Sequence, residues 1–119
     1  MRIAIDIDDT ITRHPEFFSL ITKLFKAAGH TVHVITYRAE REDAESELAE
    51  YAIVYDELIL ATGEELDRVG FYEWKADVCR QKNIEVLFED MPEVINELDS
   101  STLALMVVDP ALGKVTYAD

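Results

Sequence analysis

Apolar residues fall along this chain in short β-branched runs, separated by stretches in which they recur every three or four positions. Unbroken or alternating apolar runs favour strands, and the longer spacing favours helices. Arg2 to Asp8 is a strand on this reading. A helix starts at Pro15-Glu16, with Phe17, Leu20, Ile21, Leu24 and Ala28 as its apolar stripe and Gly29 as its stop. Thr31 to Thr36 (TVHVIT) is a second strand, Glu40 to Ala52 a charged helix with a narrow stripe of Ala44, Leu48, Tyr51 and Ala52, and Ile53 to Leu60 a third strand.

A polar stretch, Ala61 to Glu73, leads to a short helix over Trp74 to Lys82. Ile84 to Phe88 (IEVLF) is a fourth strand, Pro92 to Leu98 a helix opened by proline, and Leu103 to Val108 (LALMVV) a fifth strand. Lys114 to Tyr117 has the pattern of a short edge strand. Strands that alternate with helices pair in parallel through right-handed crossovers. The expected fold is therefore α/β: a three-layer α/β/α sandwich around a mainly parallel five-stranded sheet, one domain over residues 1–119.

Composition narrows the function. Hydrophobic residues make up 49% and charged residues 30%, which is neither a disordered nor a membrane composition. Eleven basic residues against 25 acidic ones give a formal charge of −14, a field that repels nucleic acid. The single cysteine, Cys79, excludes an internal disulfide and reads as a packing residue. No signal-peptide pattern opens the chain and no run approaches the ~18 apolar residues of a membrane span, so the expected location is the cytoplasm, with no membrane partner.

Polar residues at strand ends carry the chemistry, because ligands of parallel sheets collect beyond the carboxyl ends of the strands. The first strand runs into Asp6 and Asp8, the second ends in Thr36, the fourth in Glu89 and Asp90, and Lys75 stands at the front of the preceding helix. Crowded carboxylates need a cation, and hard oxygen ligands without a nearby cysteine or histidine select Mg²⁺. In an extended strand, positions i and i+2 share a side, so Asp6 and Asp8 can flank one substrate atom, one as nucleophile and one as proton donor. Asp9 has the opposite parity and is expected to turn away.

DIDDT at Asp6 to Thr10, Thr36 closing an apolar strand, Lys75 before a short helix, and the acidic pair Glu89-Asp90 closing another strand together resemble the four ordered motifs of the haloacid dehalogenase superfamily. The resemblance extends from Arg2 to Leu98. It implies a Rossmann-like phosphatase in which Asp6 becomes an aspartyl-phosphate and holds Mg²⁺. Asp8 acts as general acid and base, with its carbonyl on the metal. Thr36 and Lys75 bind the phosphoryl oxygens, and Glu89 and Asp90 supply the acidic far side of the metal site, Asp90 as the main ligand.

The stretch from Ile35 (ITYRAERED) is similar to the small nucleotidase-like and polynucleotide-phosphatase-like branches, in which an arginine two residues past the threonine contacts substrate phosphate. That role falls on Arg38; the plainer reading is a surface ion pair with Glu40 or Glu42. The gaps after the first motif and before Lys75 leave no room for a cap domain, which implies a capless enzyme open to a phosphorylated small molecule such as a nucleotide or sugar phosphate. Such a site is also open to a lid lent by a second copy in a homo-oligomer. Tyr72 and Trp74, close to Lys75, read as core residues before ring-stacking ones. Two other classes compete: a noncatalytic binding or regulatory protein of the same fold, and a phosphoacceptor receiver domain with Asp56 as its acceptor.

Overall fold

The computed structural model describes residues 1–112, so the strand expected at Lys114 to Tyr117 lies outside the described residues. Five strands, β1 (Arg2–Ile5), β2 (Thr31–Thr36), β3 (Glu57–Leu60), β4 (Val86–Glu89) and β5 (Leu103–Met106), form one sheet in the order β3-β2-β1-β4-β5. Every pairing is parallel. Helices α1 (Pro15–Ala27), α2 (Arg41–Glu50), α3 (Gly63–Val69), α4 (Glu73–Lys82) and α5 (Pro92–Ile95) fill the two outer layers. The α/β/α sandwich expected from the alternation of elements is the fold observed.

Strand parity sorts the core into two halves. Ile3, Ile5, Val32, Val34, Leu58 and Phe88 meet Phe18 of α1 and Ala44 and Leu48 of α2 on one face of the sheet. Ala4, Ile35 and Leu87 meet Trp74, Val78 and Cys79 of α4 and Val94 of α5 on the other. The split follows from the hand of the crossovers: moving outward from β1 to β2 and β3 puts the connecting helices on one face, and moving the other way to β4 and β5 puts them on the opposite face. Strand order reverses between β1 and β4, which opens the crevice of a doubly wound sheet at the carboxyl end of β1.

The structure differs from the sequence reading at several points. The first strand stops at Ile5 instead of Asp8, because the chain enters a wide turn over Ile7–Ile11 that the Thr12 amide closes on the Ile7 carbonyl at 3.1 Å. The third strand starts at Glu57, not Ile53. The stretch Ala61 to Glu73 contains α3, capped by Thr62, whose hydroxyl accepts the Glu65 amide at 3.1 Å. In α1 the expected stripe is rotated. Phe17, Leu20, Leu24 and Ala28 are exposed, while Phe18 and Thr22 are buried and Ile21 and Phe25 pack against the core. Apolar residues occupy about half the circumference of this helix, and only one edge of that wide arc faces the sheet, so spacing alone does not choose the edge. Thr22 decides it, donating to the Phe18 carbonyl at 2.7 Å and accepting the Val54 amide at 3.2 Å.

Candidate active site

β1, β2 and β4 deliver Asp6, Thr36 and Glu89 to one edge of the sheet, and the first turn of α4 delivers Lys75 from beneath. Asp6 follows the last residue of β1, and its amide still bonds the Phe88 carbonyl at 3.0 Å, which fixes it against β4. Its carboxylate is buried and fully engaged: Lys75 Nζ donates to Oδ1 at 2.6 Å and Thr10 Oγ1 donates to Oδ2 at 3.1 Å.

Lys75 is wholly buried, an unusual place for an ammonium. Its Nζ also donates to Glu89 Oε1 at 2.6 Å and sits 4.7 Å from the centre of the Tyr37 ring. Burial works against its charge, but the carboxylates of Asp6 and Glu89 outweigh it and raise its pKa, so the lysine is charged at neutral pH. Two carboxylates and a ring face thus replace the water that the ammonium has lost.

Glu89 uses its second oxygen, Oε2, to accept the amides of Asp90 at 3.0 Å and Met91 at 3.2 Å. Both Glu89 oxygens are therefore occupied by the protein itself, whereas Asp90 is only half-buried and turns toward Asp6 and Glu89. Carboxylate oxygens of Asp6, Glu89 and Asp90 lie within 4.8 Å of one another. Three carboxylates against one ammonium leave a formal charge of −2. Hard oxygen donors with that charge, and no sulfur or imidazole among them, fit a divalent hard cation. Asp90 is the freest ligand, and Glu89 braces the site from below.

Charge crowding is visible in the protonation of the group. Burial pushes the Asp6 carboxyl up, against the pull of Lys75 and with the push of Glu89. Burial and the bonds to Glu89 and Asp6 push Asp90 up to about 8. A carboxyl whose folded pKa is raised stabilises the fold below its unfolded value and ceases to as pH climbs through the folded one. In metal-free buffer the chain is therefore expected to lose stability between its ordinary value of 3.8 and about 8. Urea titrations in EDTA at about pH 5 and about pH 8 measure this slope. Asp90→Asn is expected to flatten it.

Asp8 is placed differently from the expectation of an extended strand. It lies in the wide turn, and Asp9 follows it with a left-handed φ of 61°, bonded through its own amide to Thr12 Oγ1 at 2.9 Å. Asp tolerates this conformation better than most residues, which suits the turn to an aspartate. Asp9 points out to Arg13, turned away as expected but by the left-handed turn and not by strand parity. The Asp8 carboxylate is exposed and held by both arms of Arg38, Nε to Oδ2 at 3.1 Å and Nη2 to Oδ1 at 2.7 Å.

Arg38 pairs with neither Glu40 nor Glu42. Its Nη2 also reaches Glu47 of α2 at 2.6 Å, and its amide donates to Thr36 Oγ1 at 3.1 Å. The bonds to Asp8, partly offset by burial, raise its pKa further. The loop after β2 thereby ties Thr36, Asp8 and α2 into one unit.

Three contributors were not singled out from the sequence. Thr10 stands in the first acidic stretch, four residues from Asp6, and bonds it. Glu47 is one acid among many in α2 and carried no signal of its own. Tyr37 walls Lys75 and stacks on Phe71 at 4.2 Å between ring centres, with its hydroxyl bonded to the Phe71 carbonyl at 2.8 Å. Trp74 is core, as expected, and its indole N–H is satisfied by Glu65 at 2.8 Å, whereas Tyr72, also expected in the core, is exposed at the corner before α4. Burial pushes the Cys79 thiol up to about 12, which fits a packing role.

Among the described residues no helix is long and apolar enough to cross a membrane. The segment before Lys75 holds only α3 and the Phe71-Tyr72 corner, with no second module over the site. No family model matches this chain, and no curated protein or solved structure matches it either.

Proposed function

We propose that this chain is a Mg²⁺-dependent phosphomonoester hydrolase of the haloacid dehalogenase type, without a cap domain and acting through Asp6. One observation carries the reading: Lys75, wholly buried, bridges Asp6 and Glu89 at 2.6 Å each, at the sheet edge where parallel folds bind ligands. A bare structural ion pair has little reason to lie there, since burying it gains little stability over apolar packing. A site that must receive phosphate oxygens beside a nucleophilic carboxylate needs this arrangement.

In this reading an Asp6 carboxylate oxygen attacks phosphorus as the bond to the leaving oxygen breaks. Asp8, in its acid form, gives that oxygen a proton, and the alcohol departs. The Asp8 carboxylate then takes a proton from water, whose oxygen attacks the phosphorus of the aspartyl-phosphate, freeing inorganic phosphate and restoring Asp6. Lys75 and the Thr36 hydroxyl hold the equatorial oxygens, where charge spreads in the transition state. Asp6, Asp90 and the Asp8 carbonyl would hold Mg²⁺, with Glu89 beside them; the ion supplies further charge neutralisation at the phosphoryl group.

Arg38 has two uses here: it aims Asp8 from α2 through Glu47, and it can swing to a substrate phosphate. Arg38→Ala is expected to lower kcat/KM about 10- to 100-fold, with little change in unfolding midpoint, because a mobile Asp8 is a poorer acid and base. Steady-state kinetics beside a thermal melt check it.

The receiver alternative is disfavoured by topology. A flavodoxin-like sheet runs 2-1-3-4-5, whereas this one runs 3-2-1-4-5. Asp56 lies before β3, at the opposite edge from the acidic site, and is held by Lys26 at 2.6 Å and the Val32 amide at 2.8 Å. Phosphate release from a phosphomonoester panel tests the proposal; Mg²⁺ binding without turnover would favour a noncatalytic binding protein.

A further inference from the structure

The two outer layers of the sandwich are unequal. Right-handed crossovers send α4 and α5 to one face, leaving only α1 and α2 for the other, and α2 lies over the β2-β3 side. On the α1 face Phe18 and Phe25 cover β4 through Phe88, and among the described residues it is β5 that is left open. Leu103 and Leu105 pair with Val86 and Phe88 and so point to that face, where they are 59% and 39% exposed. The flank of α1 bearing Ser19 and Lys26 turns toward α2 and β3, through Ala52 and Asp56. Its other flank, toward β4 and β5, carries Phe17, Leu20 and Leu24, between 50% and 58% exposed. Helix flank and the open edge at β5 together bound one apolar recess, along which Phe17 to Leu24 extends about 10 Å.

We propose that this recess is covered by α1 of a second copy of the chain, in a two-fold symmetric dimer with the two α1 helices antiparallel. Positions 17, 20 and 24 have the three-four spacing of a helix-pairing seam. Glu16 and Lys23 lie seven residues apart, along a single edge of that seam. In an antiparallel pair related by a two-fold axis that edge meets itself reversed, so Glu16 of each copy faces Lys23 of the other. The surface is thus self-complementary in charge as well as shape. The edge of the seam is neutral, one lysine against one glutamate, although the chain as a whole carries −14, and Lys26 is turned away to Asp56. The patch is at the small end for a specific interface, which fits a weak, reversible dimer.

Sedimentation velocity of the full chain, from about 1 µM to about 500 µM, tests this. The mean mass is expected to rise from one chain toward two with concentration. Leu24→Glu is expected to abolish the rise. Lys23→Glu, an exposed change that leaves the core alone, sets four acids along the edge and is expected to raise the dissociation constant about tenfold or more. The double exchange Glu16→Lys with Lys23→Glu restores both pairs and is expected to bring dimerisation back. A monomer at every concentration, or a dimer indifferent to Lys23→Glu and its rescue, would overturn the proposal and leave the recess to another segment or partner.

Discussion

Asp6→Asn is expected to lower phosphate release by at least about 10⁴-fold, on any monoester the wild-type chain hydrolyses, while the fold survives. The amide is nearly isosteric with the carboxylate: its oxygen can still accept from Lys75, and its NH2 can donate to the Thr10 hydroxyl, which reverses the bond that Thr10 now makes to Asp6. What it loses is the oxygen that attacks phosphorus. Removal of one buried charge leaves Lys75 with Glu89 alone, so a modest fall in unfolding midpoint accompanies the loss of turnover. The two effects separate cleanly in one preparation: a far-UV spectrum near that of wild type, with no burst of phosphate. Acid-quenched protein is the complementary readout, since labelled phosphate carried by wild type and absent from the variant locates the intermediate. Activity retained in Asp6→Asn would refute the mechanism outright.

Lys75→Met is expected to be the most damaging change to the fold itself. It keeps the bulk of the side chain and removes the one cation that, among the described residues, bonds both Asp6 and Glu89. Leaving buried carboxylates without their partner costs about 3–5 kcal/mol, which for a domain of this size lowers the midpoint by roughly 10–20 °C. The carboxylates have two ways out, protonation or a divalent ion. The deficit should therefore shrink when pH falls, because a protonated Asp6 no longer repels Glu89, and when Mg²⁺ is raised. Melts of the variant in EDTA and in Mg²⁺, at acidic and alkaline pH, read both effects. A variant as stable as wild type in EDTA at alkaline pH would mean that the buried triad does not carry the electrostatics assigned to it.

The sequence disclosed the fold and the membership of the site more readily than its internal geometry. Strand-helix alternation is a repeated, redundant signal, and β-branched runs such as TVHVIT admit few other readings. Residues at strand ends were legible because a parallel sheet sends every carboxyl end to one edge. That logic brings Asp6, Thr36 and Glu89 to one edge from the order of elements alone. It failed for Asp8, which was placed by strand parity although the chain leaves the strand at Ile5 and turns on the left-handed Asp9.

The inner face of α1 was misjudged for a different reason. The apolar arc of this helix is wider than the strip the sheet can cover, and a buried threonine bonded to the next loop sets which edge of it turns inward. Helix α3 was announced by its cap, Thr62 with Glu65 three residues on, but its apolar content is too thin for periodicity to register. Glu47 became part of the site only through the path of Arg38, a long-range pairing that no local pattern in the chain encodes.

The central claim, a metal-dependent phosphomonoesterase at the Asp6–Lys75–Asp90 edge, meets its most direct test in phosphate release from a broad panel of phosphomonoesters, nucleotides and sugar phosphates included, in Mg²⁺ and in EDTA. The account predicts release from at least one class of monoester that needs Mg²⁺ and disappears in EDTA. Release undiminished by EDTA, or none from any compound while Mg²⁺ still binds at the acidic edge, would contradict it.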